Sequence, residues 1–267
     1  MTSLPFPGYA WSAKTDIGKC RRRNEDAFLA LPEVGLWAVA DGMGGESDGH
    51  LASQWTVEAL RNAFPDPLPE PQSIRRTAVR NALLTANRRI LDHIREHGLR
   101  AMGSTVALLL LDPQFPDRAD LCTLGDSRIY ALEDGRPRQL TRDHTVANEL
   151  PTAHALAPQM RSLLTRALGM QKPLRPEWRR VALCPGNTLF LCTDGTYAAL
   201  EVTSTPWPVD PEALTDALIA RVLRTPATDN ATALALRVPD PLPAPIAFSP
   251  EELAEGDYLE KTANQEP

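Results

Sequence analysis

Asp41, Asp126, Asp194 and Asp229, with the adjacent pair Glu25 and Asp26, are the residues whose types and settings could do chemistry. Asp41 follows the apolar run Leu36 to Ala40 and precedes Gly42, Met43, Gly44 and Gly45. Asp194 ends the run TLFLCT and precedes Gly195, Asp126 follows Leu121 to Gly125, and Asp229 and Glu25-Asp26 each precede a strand-like stretch. Runs of this length and bulk are those of buried strands, whose ends are rigid, and glycine lets backbone approach whatever an acid holds. One such acid is ordinarily part of a plain glycine turn. Asp134-Gly135, between two hairpin-like arms, is read as that. Acids gathered from several distant elements are a different matter, because buried carboxylates without a partner repel one another. An all-oxygen set suits a hard divalent cation, Mg2+ or Mn2+, rather than zinc, which prefers His or Cys. Cys20, Cys122, Cys184 and Cys192 have no paired metal spacing and are read as reduced thiols.

The elements that must position these acids follow from periodicity. Strands are expected over Tyr9 to Thr15, Ala27 to Leu31, Leu36 to Ala40, GSTVALLLLD from Gly103, ADLCTLGDSRIYALE from Ala119, RPRQLT from Arg136, TLFLC from Thr188 and NATALALRV from Asn230. A helix capped by Ser47 or Asp48 is expected to reach about Phe64. A second, Ser73 to His97, carries Ile74, Ala78, Ala82, Ala86, Ile90 and Ile94 at steps of four, and a third spans Pro211 to Leu223. The stretch His144 to Gly169, interrupted by Pro151 and Pro158, reads as a surface flap. Strands in runs with helices inserted between them point to an α+β fold, sheet packed on sheet with helices outside. Arg21, Arg22 and Arg23 read, from residue type alone, as a solvated loop.

The 267 residues suffice for one domain with a full core plus a tail, and 43% hydrophobic content makes the chain globular. No run is long and apolar enough to span a bilayer, and the first residues do not read as a signal peptide, so a cytoplasmic location without membrane association is expected. From Pro239 onward seven acids face Lys261 alone, so this stretch carries the whole net charge of −6 and the body is balanced, which speaks against nucleic-acid binding. The boundary is therefore placed at 238, with 239–267 a Pro-rich acidic tail expected to be flexible and to add nothing to the core. SPEELAEGDYLEK within it is a possible short helix.

The motifs RRRNED (Arg21 to Asp26), VADGMGG (Val39 to Gly45), GST (Gly103 to Thr105), LGDSRIY (Leu124 to Tyr130), LTRDH (Leu140 to His144), LTRALG (Leu164 to Gly169), LCTDG (Leu191 to Gly195) and DNAT (Asp229 to Thr232) occur in an order and spacing that resemble the metal-dependent protein phosphatase 2C family over roughly residues 8 to 238. The resemblance implies a central β-sandwich of two mainly antiparallel sheets flanked by helices in αββα layers. It implies hydrolysis of phosphoserine and phosphothreonine by a hydroxide bridging two core ions, Mn2+ or Mg2+. Carried over by position, Asp41 would bridge both ions, the Gly42 carbonyl would bind one, Asp194 and Asp229 would hold the other, and Glu25 would act through water. Asp26 and Asn230 would stand behind these ligands. Asp126 with Asp194 would form a weaker third site, and Arg21 would grip the substrate phosphate, as a planar guanidinium can. The GLWAVADGMGG form resembles stand-alone bacterial members. That implies a monomer acting on a phosphorylated protein, opposing a serine/threonine kinase, with secretion-system signalling one setting.

This chain departs from the family pattern at Met43, where eukaryotic members carry a histidine proposed as general acid, at Glu46 and His50, which stand as if exchanged, and in the short segment Asp143 to Leu163. None removes a metal ligand. Two other functions are weighed against the first: a silent phosphoprotein-binding module, which would be expected to lack one of Asp41, Asp194 or Asp229, and a phosphatase of small phosphoesters.

Overall fold

The computed structural model describes residues 6–44, 48–65, 70–150, 156–170, 173–200 and 206–255. In chain order the first half contains β1 (Ala10–Asp16), β2 (Asp26–Leu31), β3 (Leu36–Gly44), α1 (Gly49–Asn62), α2 (Gln72–His97), β4 (Met102–Ser104), β5 (Val106–Leu111) and β6 (Arg118–Leu124). The second contains β7 (Arg128–Glu133), β8 (Arg136–Gln139), α3 (Val146–Glu149), α4 (Pro158–Arg161), β9 (Glu177–Ala182), β10 (Thr188–Cys192), α5 (Asp194–Tyr197), α6 (Pro211–Leu223) and β11 (Ala231–Arg237). One sheet runs β1-β11-β10-β7-β8 and the other β2-β3-β5-β6-β9, with β4 paired to the end of β3. All these pairs are antiparallel.

Alternation along the strands sorts the core into layers. Leu36 and Ala38 of β3 pack with Leu108 and Leu110 of β5 against α1 and α2, while Trp37 and Val39 face Leu189, Leu191, Leu234 and Leu236 of the other sheet. The far face of that other sheet, with Phe190, Ala233 and Ala235, is covered by Leu214, Leu218 and Val222 of α6. Central strands covered on both faces explain why β3 and β5 are unbroken apolar runs despite antiparallel pairing. The layers are helix, sheet, sheet, helix, as the α+β sandwich reading expected.

Several local expectations change. The strand of Leu36 to Ala40 does not stop at Asp41: β3 runs on to Gly44, leaving β2 and pairing with β4. GSTVALLLLD is broken at Thr105 into β4 and β5. The second helix buries Arg75, Val79 and Leu83 beside Ala82, Ala86 and Ile90, whereas Ile74 and Ala78 are half-buried. A row of every fourth residue drifts about 40° per step around the helix, so it cannot face the sheet along its whole length. Asp48 stands at the N-cap of α1 without a capping bond, and its carboxylate lies 3.1 Å from His93 Nε2 instead. Ser47 lies outside the described residues. β9 was not expected; as an edge strand with exposed Arg179 and Arg180 it lacks an apolar run. Asp134 and Gly135, at φ 51° and 71°, make the tight hairpin turn anticipated.

The flap segment closes on itself at its neck. Val146 N–H donates to Leu163 O at 2.9 Å, Thr165 N–H donates to His144 O at 2.9 Å, and Thr145 bridges Leu164. Past 238 the chain does contribute to the core, contrary to expectation: Leu242 packs on the inter-sheet cluster, and Ile246 N–H donates to Pro113 O at 2.8 Å. Ser249 and Glu252 exchange capping bonds at the start of the helical turn 250–255, and the remainder of the anticipated helix lies outside the described residues.

Candidate active site

The acids meet at one end of the sandwich. Asp26 and Asp41 are opposite each other in the last β2–β3 pair, and Gly42 begins the β3 extension. A Cβ on Gly42 would stand 2.1 Å from Gly49 O and 2.6 Å from Glu25 O, so only glycine fits this approach. Gly42 N–H donates to Glu25 O at 3.1 Å, as does Ser53 Oγ at 2.5 Å. Glu25 Oε1 and the Gly42 carbonyl oxygen each lie 2.9 Å from where a Cβ on Gly49 would be, a cradle of two oxygens around one point.

From the other sheet, Asp194 stands where β10 gives way to α5, and Asp229 just before β11. A Cβ on Gly195 would stand 2.0 Å from Asn230 O, so this turn also requires glycine. Asp26 Oδ2 accepts from Thr193 Oγ1 at 2.8 Å and Thr232 Oγ1 at 2.7 Å. Asn230 braces the Glu25 loop: its side-chain oxygen accepts the Glu25 N–H at 2.9 Å, and its amide nitrogen donates to Ile17 O and Arg23 O at 2.9 and 3.0 Å. Asp126 lies in the crossover from β6 to β7. The preceding Gly125, at φ 96°, is clamped by buried His144, whose N–H donates to Gly125 O at 2.9 Å while its Nδ1 accepts from Gly125 N–H at 3.2 Å. His144 Nε2 then reaches Glu177 on β9 at 3.1 Å.

Electrostatics record the crowding. Burial, then Asp26, Asp194, Asp126 and Asp229, holds the Asp41 carboxyl well above the usual range. Asp26 is pushed up to about 7 by burial and by Asp194 and Asp229, against its threonine bonds. Asp126 is pushed up to about 6 by burial, Asp194 and Asp143. Asp194 is raised by burial and Asp229, while a hydrogen bond from Asp41 lowers it. Arg21 Nη2 donates to Asp229 Oδ2 at 2.6 Å at the half-exposed rim, which raises the Arg21 pKa. A cavity of 280 Å3 opens beside Asp194 and Asp229, walled by Ala198, Ala199 and the 225–228 turn.

Among the described residues no group of three or more His, Cys, Asp or Glu side chains is placed closely enough to hold a metal ion as it stands. The fit to hard cations rests on the donor chemistry: oxygens only, gathered at one end, and driven toward protonation by burial and by mutual repulsion, the charge cost of which a divalent ion would offset. The site thus brings together Glu25, Asp26, Asp41, Gly42, Asp126, Asp194, Asp229, Asn230 and Arg21. Reading the sequence for acids missed the hydroxyl braces Thr105, Ser127, Thr193 and Thr232 and the clamp His144; only Ser127 and Thr193, each next to an acid in the chain, carried a signal that could have found them. Of the departures, Met43 reaches over β4 toward Gly103, His50 Nε2 lies 2.9 Å from Arg23 Nη1, and Glu46 is outside the described residues.

A two-sheet sandwich with buried acids gathered at one end and a guanidinium at their rim is the architecture of a metal-dependent phosphatase. The chain belongs to the protein phosphatase 2C family, whose model matches residues 21–236, and is a protein serine/threonine phosphatase. A putative protein phosphatase 2C-type of Streptococcus pyogenes is 33% identical over 194 residues, which are 69% of this chain and 77% of that one. Among solved structures, PppA of Pseudomonas aeruginosa, a key regulatory component of T6SS, is similar at TM-score 0.75 and 33% identity over 87% of this chain and 98% of that one. The catalytic domain of the serine/threonine phosphatase PstP in complex with two manganese ions is similar at TM-score 0.70 and 30% identity over 87% and 99%. Among the described residues no helix is long and apolar enough to cross a membrane.

Proposed function

We propose that the chain hydrolyses phosphoserine and phosphothreonine on a protein substrate, with Asp41, Asp194 and Asp229 as the acids on which catalysis depends. The convergence of buried carboxylates from both sheets beneath Arg21 carries this reading. Glu25, Asp41, Gly42, Asp194 and Asp229 would hold two core ions, Mn2+ or Mg2+, and Asp126 with Asp194 a third. When bound, such ions activate water and offset phosphoryl charge. Arg21, held over the acids by Asp229, can take two phosphoryl oxygens in its fork. Asp26 and Asn230 keep the β2 end and the Glu25 loop in register. Met43 has no proton to give, so the proton for the leaving oxygen must come from a donor other than this side chain.

The setting is bacterial signalling in the cytoplasm, opposing a serine/threonine kinase, with the chain acting as a monomer. The likeness to PppA supports secretion-system control. The silent-module reading is disfavoured because Asp41, Asp194 and Asp229 are all in place. Phosphate release from a phosphothreonine peptide should require Mn2+, stop reversibly with EDTA, and fall to background in Asp41→Ala and Asp194→Ala. Release that survives both substitutions would sink this proposal. An aryl phosphate turned over far better than any phosphopeptide would shift it to small phosphoesters, and an unchanged phosphoserine and phosphothreonine content in a deletion strain would remove the kinase-opposing role.

A further inference from the structure

Thr105 occupies the break between β4 and β5, and where main-chain pairing lapses its side chain continues it. Its N–H donates to Asp41 O at 2.9 Å, and its Oγ1 accepts from Asp41 N–H at 3.0 Å. The same Oγ1 lies 2.7 Å from Ser127 Oγ, with both residues 2% exposed. Ser127 directly follows Asp126, and on the other side of Asp126 a Cβ on Gly125 would stand 2.6 Å from Thr105 Cγ2. His144 occupies both the N–H and the C=O of Gly125. Asp41 is on a strand of one sheet, whereas Asp126 lies where the chain crosses to the other, so sheet pairing alone does not fix their separation.

We propose that Thr105 and Ser127 are positioning residues, which hold the carboxylates of Asp41 and Asp126 at one spacing through a single buried hydroxyl–hydroxyl bond. Neither touches substrate; both act through the acids beside them. The inference rests on Asp41 and Asp126 being metal ligands, so its test must separate the two claims.

Calorimetric Mn2+ titration of the full chain, with melting of the EDTA-treated protein, does so. Ser127→Ala should weaken the weakest Mn2+ step by about fivefold, the scale of one buried hydrogen bond, and leave KM for a phosphopeptide unchanged. Thr105→Ser, which keeps the hydroxyl, should titrate like the parent, whereas Thr105→Val should weaken every step because Asp41 N–H also loses its acceptor. In an Asp126→Asn background, Ser127→Ala should have no further effect on Mn2+ binding. A lowered melting temperature with an unchanged isotherm in Ser127→Ala, or the same fivefold loss in the Asp126→Asn background, would overturn the proposal. An unchanged isotherm for Asp126→Asn alone would overturn the ligand reading on which it depends.

Discussion

Asp26 and Asp126 make the metal-free protein an unusual acid–base object. Their carboxyls rise on folding to about 7 and about 6, so between the ordinary carboxylate range and those values the folded state binds more protons than the unfolded one. Their contribution to stability is full at low pH and is lost as pH rises through 6 to 7. The gap in melting temperature between Mn2+-loaded and EDTA-treated protein should therefore widen from pH 5 to pH 8; a constant gap would show that folding does not raise these carboxyls. Arg21 belongs at the same scale. Arg21→Ala should raise KM for a phosphopeptide about tenfold with a smaller fall in kcat, the mark of a lost charge-assisted contact, while Arg22→Ala should be nearly neutral. Equal effects would reduce the cluster to diffuse charge. The acids themselves were legible because each stands at one end of a strand-like run, beside a glycine or a polar turn. Thr105 and His144 stood inside the motifs GST and LTRDH, but what they do was not legible, because a threonine in a strand-like run and a histidine in a loop are ordinary until the fold brings Asp41 and Gly125 to them.

Among the elements, α2 is held at its N-terminal end by a charge rather than by apolar contact. Arg75, 3% exposed, donates to Val34 O, Leu111 O and Gln72 Oε1, and lies over the Phe6 ring at 5.2 Å. Burial draws its pKa down to about 10. Arg75→Met should cost about 2–3 kcal/mol in urea unfolding, since two buried carbonyls lose a charged donor, without changing the Mn2+ dependence of the folded fraction. A neutral result would mean that α2 docks through Val79, Leu83 and Ile90 alone. This burial was hidden because an arginine in a helix reads as solvent-facing. β9 was hidden for the complementary reason, since an edge strand needs only one partner and can afford charges outward. The β3 extension escaped too, because Gly42 and Gly44 carry no strand propensity; β4 supplies the pairing that makes them strand.

For the whole molecule, the order of layers and the end at which the acids gather followed from hydrophobic alternation and from the motifs. The path beyond 238 did not, since a lone Leu242 among prolines gives no sign that it packs on the inter-sheet cluster. Removing 248–267 should leave stability unchanged, whereas removing 240–267 should cost about 1–2 kcal/mol through the lost burial of Leu242, with aryl phosphate turnover per folded molecule intact. Loss of that turnover would place the segment in the catalytic domain. Any influence of the acidic tail on a phosphoprotein partner should fade with added salt. The paired neck at Thr145 and Leu164 has a different kind of consequence. Because the ends of the flap are already joined, its length is uncoupled from sheet geometry, and doubling the loop adds only about 0.6 kcal/mol of closure entropy. Segment 146–163 is thus an exchangeable part: a lineage can rewrite it, and an engineer can graft another in its place, while the end of the sandwich where the acids gather is inherited unchanged.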